Sequence, residues 1–277
     1  MIKILVTTDF SANSKAAIRF AIKFAAQYPE VSLTFFHSYH ILKPTSFSDA
    51  KFEAYEKAQK ENIHKRLEKF VKDVYHTSGV KSSEVNCVCR ESVVAHSNIM
   101  NYAKQEGFNF ISIGTRGAGK IEKLFGTHTS YVISQSSIPV IAVPKTYKSK
   151  DIQSILYASD LINLDKELDQ VIDFAKPIDA KIEVVHFGFP SDIEKKVKLA
   201  EEKVKNHSDY PVEFHVQPSD FIKSLVDNIE IAVKKSKPSI LVMFTDQKVS
   251  FFKKMLFSGN TEEFALNTRV PLLVYPK

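Results

Sequence analysis

The sequence predicts an α/β protein built from two tandem copies of a β-α-β-α-β-α-β-α-β unit, each a five-stranded parallel sheet with helices on both faces. Three observations predict it. Short runs of Ile, Val, Leu and Phe alternate along the chain with longer stretches of helical, about 3.6-residue, periodicity. The strand runs, such as Ile4-Leu5-Val6 and Ile240-Leu241-Val242-Met243, are apolar throughout, which fits strands covered on both faces between crossover helices. The landmarks of the first half also recur, in order, in the second.

The first strand of copy one, Ile4-Leu5-Val6-Thr7-Thr8-Asp9-Phe10-Ser11, matches Ile155-Leu156-Tyr157-Ala158-Ser159-Asp160-Leu161, so Asp9 and Asp160 close equivalent strands. A helix rich in Ala, Ile and Phe follows, expected over Lys15 to Gln27 and over Leu168 to Lys176. Next comes a strand ending in histidine, Leu33-Thr34-Phe35-Phe36-His37 against Ile182-Glu183-Val184-Val185-His186. These two imidazoles read as hydrogen-bonded core or rim groups. Copy one then carries a long loop and helix, His40 to Tyr75, which reads as an insertion relative to copy two. Cys87 and Cys89 share one face of a strand and read as small buried hydrophobes. The copies close with Ile138-Pro139-Val140-Ile141-Ala142-Val143-Pro144 and Val270-Pro271-Leu272-Leu273-Val274-Tyr275-Pro276. Val140 to Val143 and Leu272 to Tyr275 are short apolar edges, and they are expected to pair with each other within the chain. Lys145 to Asp151 is a polar connector, which puts the boundary between domains 1–147 and 148–277.

The 277 residues suffice for two domains, each with its own core, and 44% hydrophobic with 25% charged residues is the balance of a soluble globular protein. The opening apolar run is too short for a signal segment, and no stretch approaches the ~20 apolar residues that cross a bilayer. The cytoplasm is therefore expected, with no membrane partner. The net charge of +6 raises the question of nucleic acid. The basic residues are interleaved with acids, as in Glu53-Ala54-Tyr55-Glu56-Lys57, so they read as solvated helix faces and no nucleic-acid partner is expected.

Four of the eight glycines, Gly114, Gly117, Gly119 and Gly126, follow directly on the fourth strand run Phe110-Ile111-Ser112-Ile113. A strand entering a glycine cluster ahead of a helix makes a cradle of backbone N–H groups that suits a phosphate. Gly114-Thr115-Arg116-Gly117-Ala118-Gly119-Lys120 nearly spells a P-loop, but Ile121 supplies no hydroxyl for Mg²⁺. A dinucleotide fingerprint counted from Gly117 fails at Glu122. No nucleophile with an adjacent base and no metal-ligand spacing is legible, so binding is expected rather than catalysis. His128 reads as an exposed residue of the first helical turn.

Thr8-Asp9-Phe10-Ser11 after the first strand, Gly114-Thr115-Arg116-Gly117, Gly126-Thr127 and Ile138-Pro139-Val140 together resemble the universal stress protein family in its tandem, Rossmann-like form. The likeness covers nearly the whole chain. It implies a sheet order 3-2-1-4-5 in each copy, pairing through the fifth strands and, for some members, binding of ATP or a related adenine nucleotide (AMP or ADP), with Mg²⁺. Strands one and four then meet at the switch point where open parallel sheets bind ligands. By this resemblance Asp9 and the main chain of Ser38, just after the second strand, meet the adenosine. Gly114, Gly117, Gly126 and Thr127 wrap the phosphates with Thr129 alongside, and Arg116, Lys120 and Lys123 add charge-assisted contacts. The glycine segment is one residue shorter than the family pattern between Gly117 and Gly126.

Copy two lacks the cradle. Phe244 stands in the place of Gly114, Ser258 and Gly259 stand opposite Gly126 and Thr127, and Asp246 repels phosphate. One nucleotide per chain is expected. The other reading is an interaction platform that binds no nucleotide, with an unidentified protein partner or a second copy of the chain. Phe251-Phe252 and Met255-Leu256-Phe257 read as a packed lid or as an exposed contact surface.

Overall fold

The computed structural model describes residues 1–81, 84–115, 127–188, 197–204, 209–218, 225–245 and 270–276. The first half runs β1 (Ile2–Thr7), α1 (Ala12–Gln27), β2 (Val31–Tyr39), α2 (Asp49–Ser78), β3 (Asn86–Glu91), α3 (Ala95–Gln105), β4 (Phe110–Gly114), α4 (Thr127–Gln135) and β5 (Val140–Val143). The second runs β6 (Ser154–Ala158), α5 (Leu164–Ala175), a 3₁₀ turn (Lys176–Ile178), β7 (Lys181–Gly188), α6 (197–204), β8 (Val212–Pro218), α7 (Leu225–Ser236), β9 (Ile240–Thr245) and β10 (Leu272–Pro276).

Ten strands make one sheet in the order β3-β2-β1-β4-β5-β10-β9-β6-β7-β8. Read outward from the middle, each half has the same order, with β1 and β6 each third from their outer edge. Every neighbouring pair is parallel except β5 and β10, which run antiparallel with Ile141 opposite Leu273. That one seam joins two crossover-linked sheets into a continuous layer without leaving either inner edge unpaired.

Two cores lie on opposite faces. Ile4, Val6, Phe20, Phe24, Phe35, Tyr157, Val171 and Phe174 belong to one, beneath α1, α2 and α5. Leu5, Phe36, Ile111, Ile113, Val132, Leu156, Ile229 and Leu241 belong to the other, beneath α3, α4 and α7. Consecutive residues of a strand thus reach different cores, which is why the runs carry no polar alternation.

α1 begins at Ala12, three residues before the sequence-based expectation, because Ser11 caps it: its side chain accepts from the backbone N–H of Ser14 at 3.2 Å. The buried alanines 16, 17 and 21 let this helix lie close on the sheet. α2 spans 30 residues but buries only Leu67, Val71 and Val74, all in its C-terminal half. Gly79 ends it in the left-handed conformation with φ of 67°.

The first core is shared between the halves. Phe24 of α1 stacks on Phe174 of α5 with ring centroids 5.3 Å apart, and Phe110 of β4 meets the edges of Phe174 and Tyr275. The connection after β5 is anchored rather than free. Tyr147 is buried against Phe20, and the Gln27 amide clasps the backbone of Ile152, donating to its carbonyl and accepting from its N–H at 2.8 Å each.

Candidate functional site at the strand C-termini

At the end of β1, Thr8 continues the ladder by donating to the Phe36 carbonyl at 2.9 Å. The chain then turns sharply. Asp9 Oδ1 accepts from the Ser11 N–H at 3.0 Å, Thr8 Oγ1 accepts from the Phe10 N–H at 3.0 Å, and the Thr8 and Ser14 hydroxyls lie 2.8 Å apart. Phe10 takes φ of 63°, a strained conformation for a bulky side chain. Its surroundings hold it there: the ring lies 4.3 Å from His37 and 5.4 Å edge-on from Phe70, with the Arg66 guanidinium 4.3 Å above its face. Nothing in the sequence signals Arg66, since α2 alone brings it to this turn.

His37 directs Nδ1 at the Thr8 carbonyl, 2.8 Å away. Burial pulls its pKa down, the Thr8 bond opposes that, and the Arg66 charge adds to it. Asp9 is held below the usual carboxylate range. Its partial burial opposes ionisation, but the hydrogen bonds from Ser11 and Ser14 outweigh it. The turn therefore presents an ionised, solvent-exposed carboxylate, an acceptor for hydroxyl or amino groups.

β2 runs on to Tyr39, so Ser38 lies inside the strand, in register with Arg90 of β3, and not after it as the sequence suggested. Parallel pairing with β3 extends the strand by two residues beyond the apolar run. The Ser38 hydroxyl accepts from Asn98 Nδ2 at 2.8 Å, and Asn98 also donates to the Arg90 carbonyl at 3.2 Å, tying α3 to both strands.

Gly114 ends β4. A Cβ placed there would stand 2.6 Å from the Asn13 carbonyl oxygen and 3.0 Å from the Ser14 nitrogen, so the first turn of α1 lies directly on it. Pairing of β1 with β4 thus puts the Asp9 turn and Gly114 at one end of the sheet. Thr129 of α4 donates to the Gly114 carbonyl at 3.1 Å, which binds the fourth helix to the same strand end. Between them Thr115 is 2% exposed, and among the described residues its hydroxyl has no hydrogen-bond partner. Thr127 is the first residue of α4. Arg116, Gly117, Gly119, Lys120, Lys123 and Gly126 lie outside the described residues. His128 is exposed, in the first turn of α4.

The second half repeats the turn with different chemistry beneath it. Asp160 Oδ1 accepts from Ile162 N–H, Leu161 takes φ of 62°, and His186 Nδ1 lies 2.9 Å from the Ser159 carbonyl. In the places of Val6, Gly114 and Val143 stand Tyr157, Phe244 and Tyr275. Phe244 stacks on Tyr275 at 4.9 Å and meets Tyr157 edge-on at 5.5 Å. The Tyr157 hydroxyl is hydrogen-bonded to the buried Glu167 carboxylate and accepts from Ser159, and burial holds that phenol far above its usual pKa. Asp246, Phe251, Phe252, Met255, Leu256, Phe257, Ser258 and Gly259 lie outside the described residues.

Cys87 and Cys89 are free, half-buried thiols, pushed up to about 12 and about 11 chiefly by burial. Among the described residues no group of three His, Cys, Asp or Glu is placed to hold a metal ion, and no helix is long and apolar enough to cross a membrane.

The fold recurs in solved structures. A universal stress protein from Archaeoglobus fulgidus superimposes with a TM-score of 0.67 at 19% identity, over 99% of this chain and 98% of that one. A Pseudomonas aeruginosa protein assigned to the universal stress proteins gives 0.57 at 15% identity over 99% and 92%. The cytoplasmic domain of a prokaryotic cation chloride cotransporter gives 0.50 at 11% over 99% and 94%. No curated protein sequence matches the chain. The model of the universal stress protein family matches residues 1–144, the half that holds the Asp9 turn and the glycine segment. With that match over more than half its length, the chain belongs to the universal stress protein family.

Proposed function

We propose that this protein is a cytoplasmic stress-response regulator that binds one adenine nucleotide, ATP or its di- or monophosphate, in the first half of its sheet. The observation that carries the reading is the switch point between β1 and β4. β1 lies between β2 and β4. The helix that leaves it packs on one face, and the helices flanking β4 pack on the other. The crevice that opens where crossovers diverge is where open parallel sheets take ligands.

The residues present fit a nucleotide. The ionised Asp9 accepts from ribose hydroxyls or the adenine amino group, with the main chain of Ser38 beside it. Gly114, Gly117, Gly126 and Thr127 offer main-chain N–H groups to the phosphates, and Arg116 offsets their charge. Thr129 acts by holding the Gly114 carbonyl. Among the described residues the Thr115 hydroxyl is a buried polar group without a partner, one that a ligand or water would satisfy, although the same holds for Thr245, its counterpart in β9. Mg²⁺ enters with the phosphates. In the second half Phe244, packed on Tyr157 and Tyr275, replaces the glycine that ends β4, and the loss of that glycine supports binding to one half alone. The role is binding, with the two-domain chain, divided near residue 147, changing shape or assembly in response.

Protein purified natively and then denatured is expected to release adenine nucleotide at a molar ratio approaching one per chain. A ratio near zero, with no heat on adding ATP and Mg²⁺, favours instead a platform that recruits a protein partner without nucleotide. Two per chain refutes the reading of the second half. Gly117→Val is expected to abolish binding with the circular dichroism unchanged, because a side chain blocks the close approach of phosphate to backbone.

A further inference from the structure

We propose that His96 and His128 form a site for a divalent transition-metal ion, zinc being the best match, on the rim formed by the starts of α3 and α4. Each is the second residue of its helix. They are far apart in sequence, and packing of α3 on α4 sets their Nδ1 atoms 3.3 Å apart.

That separation suits a shared metal ion. Two nitrogens bound to one tetrahedral zinc at about 2.0–2.1 Å each lie about 3.3 Å from one another. The ring centroids are 5.5 Å apart and the planes 40° from parallel, within a few tenths of an ångström of the roughly 5.2 Å that rings aimed at such an ion require. A small turn of each side chain converges the two lone pairs. Tyr131 of α4 packs its ring 4.0 Å from His96, on a centroid basis, and so limits where that imidazole can go.

The ligand form of His96 is also favoured: burial lowers its pKa, and the neighbouring His128 lowers it further. The partial positive charge of the two helix N-termini disfavours a bound cation, which makes this a site of modest affinity. No third His, Cys, Asp or Glu joins the pair among the described residues. Two positions on the ion are therefore left to water or to an oxygen of another ligand, an open arrangement unlike the closed four-ligand sets of structural zinc.

The full chain, stripped with a chelator and free of nucleotide, is titrated with Zn²⁺ by calorimetry, so the outcome does not depend on the proposed nucleotide site. One equivalent of zinc is expected to bind. It should be lost in His128→Ala, which alters an exposed side chain, and in His96→Gln, which keeps a polar group of similar reach. His215→Ala, which removes an imidazole lying 3.4 Å from Glu183 and 3.7 Å from Glu213, should retain it. Nitrogen chemical shifts of the two imidazoles should report ligation through Nδ1. Absence of binding by the unaltered protein, retention of the equivalent in both rim variants, or its loss only in His215→Ala overturns the site and leaves the pair as a plain hydrogen bond.

Discussion

The imidazoles of His37 and His186 hold the turn that follows the first strand of each half, each through a ring nitrogen to a backbone carbonyl. A bond to the Thr8 carbonyl requires the proton of neutral His37 on Nδ1. Since burial lowers the pKa of His37 in the folded protein, the unfolded chain binds the proton more readily. The stability tied to neutral His37 is complete above the ordinary imidazole value of 6.5 and is lost as the pH falls through it towards the depressed folded value. Urea midpoints of the protein are therefore expected to fall on acidification through this range, with a shallower fall in His37→Gln. Parallel pH dependences would show that His37 does not titrate in the transition. The sequence placed both histidines at strand ends. Which carbonyl each would meet depended on the path of the chain after β1.

α1 against β4 shows how two elements decide a residue that the sequence read differently. The sequence reads Gly114 as the first glycine of an expected phosphate cradle. The packing gives it a reason that needs no ligand: the backbone of Asn13, which cannot yield as a side chain can, lies where a Cβ would go. Gly114→Ala is thus expected to destabilise the protein by about 1–3 kcal/mol through overpacking, measured by urea unfolding without nucleotide. An unchanged stability would mean that α1 moves away freely and that the glycine serves a ligand alone. In the second half Phe244 occupies this place and fills it with its own ring. α1 and β2 extend past their apolar patterns for a related reason. A capping serine and a neighbouring strand extend an element beyond its apolar residues, and neither extends the periodic pattern itself.

Across the sheet, the halves are bound by more than the seam of β5 and β10. Phe24 and Phe174 stack over it, and Gln27 grips Ile152 in the connection. Phe24→Ala empties a 2% exposed aromatic site in that shared core and is expected to cost about 3–5 kcal/mol. Probes in either half should report the same lowered midpoint. Loss confined to one of two separate transitions would show that the halves unfold independently. The alternation of strands and helices, the repeated order of landmarks and the glycine that ends β4 were all readable from the chain, because burial on two faces and close backbone approach leave local marks in residue type. The contact of α1 with Gly114, the Arg66 guanidinium over Phe10 and the meeting of His96 with His128 were decided only by the tertiary structure. Such contacts join residues far apart along the chain, and no local pattern records which of many compatible surfaces will close upon one another.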